Sequence, residues 1–168
     1  MLQVAKEYDL GMAVLRAAAE TNPNHLIVAT AAAVGHLHCG KIEDAIALLH
    51  RTIRLSPRDP LAYVPLTGMA HVEMVLGNYA DALDWAARSL ALNAEFDPTY
   101  WMLIAANAHL GRLDEARRYL AIFRTVSPGV TIASIRTGQP DRDPSRLAAI
   151  LEGLRLAGLE EALVPVKG

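Results

Sequence analysis

The sequence contains little of what several functional classes require. Its 168 residues include one cysteine and 5% aromatic side chains, and 16 Lys and Arg nearly balance 18 Asp and Glu. The single Cys39 excludes an internal disulfide framework and fits a reducing cytoplasm. The net charge of −2 offers no basic field to nucleic acid. No apolar run approaches the roughly 20 residues that span a bilayer. We therefore predict a cytoplasmic protein without nucleic-acid or membrane partners.

Motifs that support catalysis or metal binding are also missing. No serine lies in a nucleophile-type turn, and no glycine-rich loop is suited to cradle a phosphate chain. His36 and His38 flank Cys39 in sequence, but they project about 200° apart on a helix and cannot share one ion. The sequence therefore predicts no enzyme, no cofactor and no metal.

One short pattern occurs three times along the chain. The segments 40–45, 77–82 and 111–116 each consist of glycine, a polar residue, an apolar residue, two mostly polar positions and alanine. Their glycines lie 37 and then 34 residues apart, and Pro57 and Pro128 fall where the second helix of a hairpin would end. A period near 34 residues is typical of stacked helical hairpins.

Each part of this pattern has a physical role. A glycine between two helices adopts the left-handed backbone conformation that ends the first helix at little steric cost. Ala45, Ala82 and Ala116 then lie one turn into the second helix, where a small side chain lets two helices approach closely.

With the glycine at position 15 and the alanine at position 20, the pattern resembles the tetratricopeptide repeat (TPR) over residues 26–128. The resemblance implies an all-α fold, a right-handed TPR-type α-solenoid of antiparallel helix hairpins. The sequence departs from the family at position 4, which lacks Trp, and at position 8. There Ala33, Ala70 and Ile104 replace the usual glycine.

The register divides the chain into three parts. Residues 23–128 form three TPR-like repeats, with helices expected at about 25–39, 41–55, 61–76, 78–93, 98–110 and 112–126. Residues 1–22 are interpreted as a partial N-terminal repeat, the second helix of a hairpin whose first helix would precede Met1. The alternative is a divergent N-terminal cap, since end repeats are commonly atypical.

Residues 129–168 are predicted to form C-terminal capping helices and a tail. A short helix ends near Gly138, and a last helix follows Pro144 and stops at Gly158. Its apolar stripe at i, i+3, i+4 and i+7 should cap the open array. The stripe consists of Leu147, Ile150, Leu151 and Leu154. Residues 163–166 are predicted to be extended.

A second resemblance concerns larger proteins. Residues 143–160, together with 56–63 and 80–93, look like the C-terminal TPR region of bacterial class III adenylate cyclases. Similar regions follow winged-helix DNA-binding domains in some bacterial transcription regulators. In those proteins the region is accessory to a separate domain, and no cyclase residue can be carried onto this chain. The resemblance implies a regulatory region of a bacterial signalling protein.

In the TPR family the first helices of the hairpins line a concave groove. Across the three predicted first helices Glu73 is the sole charged side chain, and no Lys or Arg is present to hold a carboxylate as chaperone-binding members do. An uncharged groove with Met74 and Trp101 as anchors suits an apolar or amphipathic segment of a protein or peptide partner. The predicted groove residues are Thr30, Val34, Leu37, His38, Thr67, His71, Met74, Val75, Trp101, Ala105 and His109.

Three alternatives stay open at this point. The groove helices could instead be buried between their neighbours, or covered by the chain's own tail. The exposed ends of the array could mediate self-association into a homodimer. His38, His71 and His109 come from successive repeats, and a pH-sensitive partner contact suits them better than a metal site.

Overall fold

The computed structural model describes residues 7–22, 25–55, 58–139 and 142–162. Over these ranges the chain forms helices and no strand, which confirms the predicted all-α fold. No helix of the described part combines the length and apolar character needed to cross a bilayer. The helices are α1 (Tyr8–Thr21), α2 (Leu26–His38), α3 (Ile42–Leu55), α4 (Tyr63–Leu76), α5 (Tyr79–Leu92), α6 (Asp97–His109), α7 (Leu113–Val126), α8 (Ile132–Gly138) and α9 (Ser145–Ala157).

The helices α2 to α7 form three hairpins that stack on one another. The helices pair as α2 with α3, α4 with α5 and α6 with α7, while contacts between α3 and α4 and between α5 and α6 join successive hairpins. The first helices also contact each other, α2 with α4 and α4 with α6. All six predicted helices are present, and their ends lie within two residues of the predicted ones.

The turn inside each hairpin has the same backbone structure. Gly40, Gly77 and Gly111 have φ angles of 75°, 79° and 74°, which confirms the predicted left-handed glycines. In each turn the N–H of the residue after the glycine donates to the carbonyl oxygen five residues earlier, at 2.9 Å. This bond satisfies a carbonyl that the end of the first helix would otherwise leave unpaired.

The small residue after each turn packs as predicted. Ala45, Ala82 and Ala116 have no exposed surface. Ala45 belongs to a core cluster formed by α2, α3 and α4, and the other two belong to a larger cluster that extends to α9. Trp85 packs against both clusters, so the hairpins form one continuous stack.

Within the described chain, one helix precedes the three hairpins and two helices follow them. Helix α1 packs on α2 and exposes Leu10 (53%) and Val14 (51%) on another face. The stripe predicted for the last helix is buried, and the left-handed Gly158 ends α9 as predicted. The extended tail predicted at 163–166 lies outside the described residues.

Helix α9 lies along α6 and also contacts α4, α7 and α8. It therefore covers first helices, on the side that the family uses as a groove. Gly153 allows the contact, because a Cβ atom there would lie 2.5 Å from the Cα of Ala105. Beyond α9, the carbonyl oxygen of Glu160 accepts from Ile132 N–H at 2.9 Å, and the Glu160 carboxylate pairs with Arg124 at 2.6 Å.

We predict that Gly153→Ala destabilises the fold. Alanine would normally stabilise a helix interior by about 0.5–1 kcal/mol relative to glycine. Here the added methyl meets the α6 backbone, so overpacking should cost about 1–3 kcal/mol. Urea unfolding monitored by circular dichroism gives the change, with Gly138→Ala as control because nothing lies within 4 Å of a Cβ there. An unchanged unfolding midpoint for Gly153→Ala would show that α9 is not closely packed on α6.

Candidate functional site

The predicted groove residues belong to α2, α4 and α6, and seven of the eleven are buried. Leu37 and Met74 are each 1% exposed and belong to the core clusters. They contribute to the core and not to an exposed surface, so Met74 cannot serve as the predicted anchor. Buried positions are Thr30, Leu37, His38, Thr67, His71, Met74 and Ala105, and half-buried positions are Val34, Val75, Trp101 and His109.

Part of the predicted groove is occupied by α9. His109 donates from Nε2 to the carbonyl oxygen of Ala149 at 2.6 Å, and its ring stacks on Tyr79 with centroids 4.4 Å apart. His71 donates from Nε2 to the carbonyl oxygen of Arg146 at 3.4 Å. In the third repeat, α9 therefore covers the first helix, in line with the alternative that the chain's own C-terminal part covers the groove.

An open pocket of about 210 Å3 remains between α2, α4 and α6. We call it the concave pocket. Its volume lies below the roughly 300–1,000 Å3 of typical small-molecule sites, so it matches one side chain better than a cofactor. Its lining is largely apolar and includes five of the predicted groove residues. The lining residues are Val34, His38, Val64, Thr67, Gly68, His71, Phe96, Pro98, Trp101, Met102 and Gln139.

The polar groups around the concave pocket are neutral. Burial, followed by the positive charge of Arg146, lowers the pKa of His38 to about 2 and that of His71 to about 4. Arg146 itself is buried in the first turn of α9. Because no carboxylate is among the described lining residues while a guanidinium lies nearby, the pocket disfavours a cationic group.

Thr67 is part of a hydroxyl network that joins three helices. Its Oγ1 lies 2.8 Å from both Ser89 Oγ of α5 and Thr99 Oγ1 of α6, and these two hydroxyls lie 3.0 Å apart. Ser89 also donates to the carbonyl oxygen of Tyr63 at 2.9 Å. Ser89 and Thr99 were not predicted from the sequence, since neither belongs to the repeat pattern. The network fixes one wall of the concave pocket.

Phe96 and Gln139 were not predicted either. They lie in the connections before α6 and after α8 and still reach the pocket. Such loop positions carry no repeat register, so no spacing could have identified them.

The histidines His36 and His38 lie in separate surroundings. Among the described residues no three His, Cys, Asp or Glu side chains lie close enough together to hold a metal ion. His36 Nδ1 lies 3.5 Å from the carboxylate of Asp44, while His38 lines the concave pocket. The two side chains therefore face different surroundings, as their helical spacing predicts.

We predict that the fold loses stability on mild acidification. The folded pKa values of His38 and His71 lie below the unfolded value of about 6.5. The unfolded chain therefore binds protons first as the pH falls below 6.5, and the loss continues to about pH 4 for His71. Each histidine should remove about 1 kcal/mol per pH unit in this window. Urea unfolding at pH 7 and pH 5 measures the effect.

A matched pair of variants tests the assignment. His71→Leu should make the pH dependence shallower, whereas His25→Asn at the exposed start of α2 should leave it unchanged. Equal slopes for wild type and His71→Leu would contradict the role of the buried histidine.

Comparison with solved structures shows the same fold. The chain matches a crystal structure of MamA with a TM-score of 0.62 and 16% identity, covering 93% of this chain and 90% of that one. A second MamA structure matches with a TM-score of 0.61 and 20% identity, covering 98% of this chain and 92% of that one. YrrB, described as a TPR protein with an unusual peptide-binding site, matches with a TM-score of 0.57 and 17% identity. The match covers 93% of this chain and 84% of YrrB. No protein-family model matches the chain, and no curated protein matches it significantly. At these identities the likeness establishes the fold, a TPR-type α-solenoid.

Proposed function

We propose that this chain is a non-enzymatic scaffold that binds an apolar or amphipathic segment of a partner protein on its concave side. The observation that carries the proposal is the concave pocket, because it stays open between α2, α4 and α6 where α9 does not cover them. One apolar side chain of a partner would enter it and contact Val34, Val64 and Trp101. The likeness to YrrB supports a peptide-binding role.

The contacts of α9 support the same partner chemistry. The adjoining inner surface already accepts an amphipathic helix, whose apolar residues Leu147, Ile150 and Leu154 are buried. Grooves of this kind bind helices through apolar side chains at i, i+3 and i+7. The inner surface next to α9 is therefore suited to the same class of segment, and it disfavours Lys or Arg at the anchor position.

The proposed cellular context rests on the second resemblance in sequence. We infer that the chain acts as an accessory region of a cytoplasmic bacterial signalling protein, in which a separate domain carries the output. Partner binding at the concave pocket would then regulate that domain. Full-length genomic sequence around this region is the direct check of the context.

We predict that Trp101→Glu and Val64→Glu each weaken partner capture at least tenfold, because a carboxylate would be desolvated in an apolar pocket. Affinity capture from lysate of the source organism, quantified by mass spectrometry, measures this loss beside wild type. Leu92→Glu, which adds the same charge at an exposed position, is the control. Circular dichroism and Tm establish that each variant is folded. A partner that binds both pocket variants as well as wild type would contradict the proposal.

Self-association is the second candidate, favoured by the exposed Leu10 and Val14 on α1. A second copy covering this face would remove apolar surface from water. We expect wild type to dimerise at about 100 μM or below in sedimentation equilibrium if this function holds, since weaker affinities than about 10−4 M give no stable dimer at cellular concentrations. The double variant Leu10→Lys and Val14→Lys should then be monomeric. A monomeric wild type would eliminate this candidate.

A further inference from the structure

A second pocket, of about 390 Å3, lies at the N-terminal end of the array. We call it the basic pocket. It lies between α1, the turn from α2 to α3, and the segment that precedes α9. Its volume falls within the range of about 300–1,000 Å3 that small-molecule sites occupy. Among the described residues it shares no lining residue with the concave pocket, so the two sites can be tested separately.

Three permanent cations from distant parts of the sequence line the basic pocket. Arg16 comes from α1, Lys41 from the turn before α3, and Arg142 from the segment before α9, while Asp9 is the one carboxylate among the described lining residues. The described part of the lining therefore carries two excess positive charges. Bringing like charges together is unfavourable, and an anion placed between them would reverse that cost.

Among the described residues, two of the three cations have no carboxylate partner. Arg142 Nη1 pairs with Asp9 Oδ1 at 2.8 Å, whereas Arg16 and Lys41 form no ion pair within the described ranges. The carboxylates near the edge of the pocket have their own contacts: that of Asp44 faces His36, and that of Asp143 accepts from Ser145. Among the described residues, no carboxylate therefore lies in direct ionic contact with Arg16 or Lys41.

The half-buried His36 reports the field inside the basic pocket. Its pKa is lowered by burial; the nearby charge of Asp44 raises it, and the smaller effects of Lys41 and Arg16 lower it. His36 is therefore neutral near pH 7, and it can donate or accept a hydrogen bond beside the cations.

We propose that the basic pocket binds a small phosphorylated molecule, with its phosphate group between Arg16, Lys41 and Arg142. A phosphate monoester presents three acceptor oxygens and carries nearly two negative charges near pH 7, which matches three cationic donors from three segments of the chain and the excess charge of the described lining. Arg142 has enough N–H donors to hold Asp9 and the phosphate together. The remaining volume accommodates the organic part of the molecule, against the apolar side chain of Met12.

Binding would connect segments that are distant in the chain. The phosphate would join α1 to the turn between α2 and α3 and to the segment leading into α9. Anything that binds the folded chain alone stabilises it in proportion to the logarithm of its concentration. The ligand should therefore raise the unfolding temperature, which provides a readout that needs no knowledge of its biological role.

The test is a thermal unfolding series at pH 7.5 with inorganic phosphate and with ribose 5-phosphate, using sodium chloride of equal ionic strength and ribose as controls. We expect at least one phosphate compound to raise Tm by about 3 °C at ten times its Kd. Arg16→Gln and Lys41→Gln should each weaken binding at least fivefold in isothermal titration calorimetry. Arg51→Gln, an exposed arginine on α3 outside the pocket, should bind as wild type does.

The outcomes separate the sources of the anion. A shift with both phosphate compounds supports a site for the phosphate group itself, and a shift with ribose 5-phosphate alone supports a site that also reads the organic part. The proposal is overturned if sodium chloride gives the same shift, if neither compound binds at 20 mM, or if Arg16→Gln and Lys41→Gln bind as tightly as wild type. Both side chains are exposed, so these variants should fold normally.

Discussion

The array depends on the close approach of helices at small residues. Ala45, Ala82 and Ala116 are fully buried, and each lies five positions after a left-handed glycine that sets how the hairpin closes. Gly153 likewise allows a close approach of two helices, α9 and α6. At this contact the backbone of α9 lies directly against the backbone and side chain of Ala105. Because α9 packs this closely, the inner face of the third repeat belongs to the core. The groove of the array is therefore open only where α9 does not reach.

The features that were predictable from sequence are local ones. The glycine in each hairpin turn specifies the left-handed backbone conformation there. The helix ends were predicted to within two residues because the residues that end a helix lie at those ends in the sequence. The apolar stripe of α9 correctly predicted burial, but a stripe does not identify the surface that covers it. Leu37 and Met74 were assigned to the groove by repeat position, whereas their burial depends on the packing of neighbouring helices. His38 and Trp101, two of the predicted groove residues, line the concave pocket.

Charge is distributed differently in the two pockets, and this gives them different chemistry. The concave pocket contains neutral polar groups, since burial keeps His38 and His71 unprotonated, and its described lining has no carboxylate or permanent cation. The basic pocket has two exposed cations, Arg16 and Lys41, that form no ion pair among the described residues. Desolvation therefore selects an apolar group in the first pocket, whereas Coulomb attraction selects an anion in the second.

The first turn of α9 connects these two surfaces. Helix α9 has 13 residues and is about 20 Å long, so it runs along α6 with its beginning beside His71 of α4. Arg142 lines the basic pocket, and Arg146, four residues later, lies beside the histidines of the concave pocket. An anion held by Arg142 would restrict the segment that positions Arg146 and the edge of the concave pocket. Ligands of the two pockets should therefore affect each other's affinity through α9, and by linkage the effect must be equal in both directions.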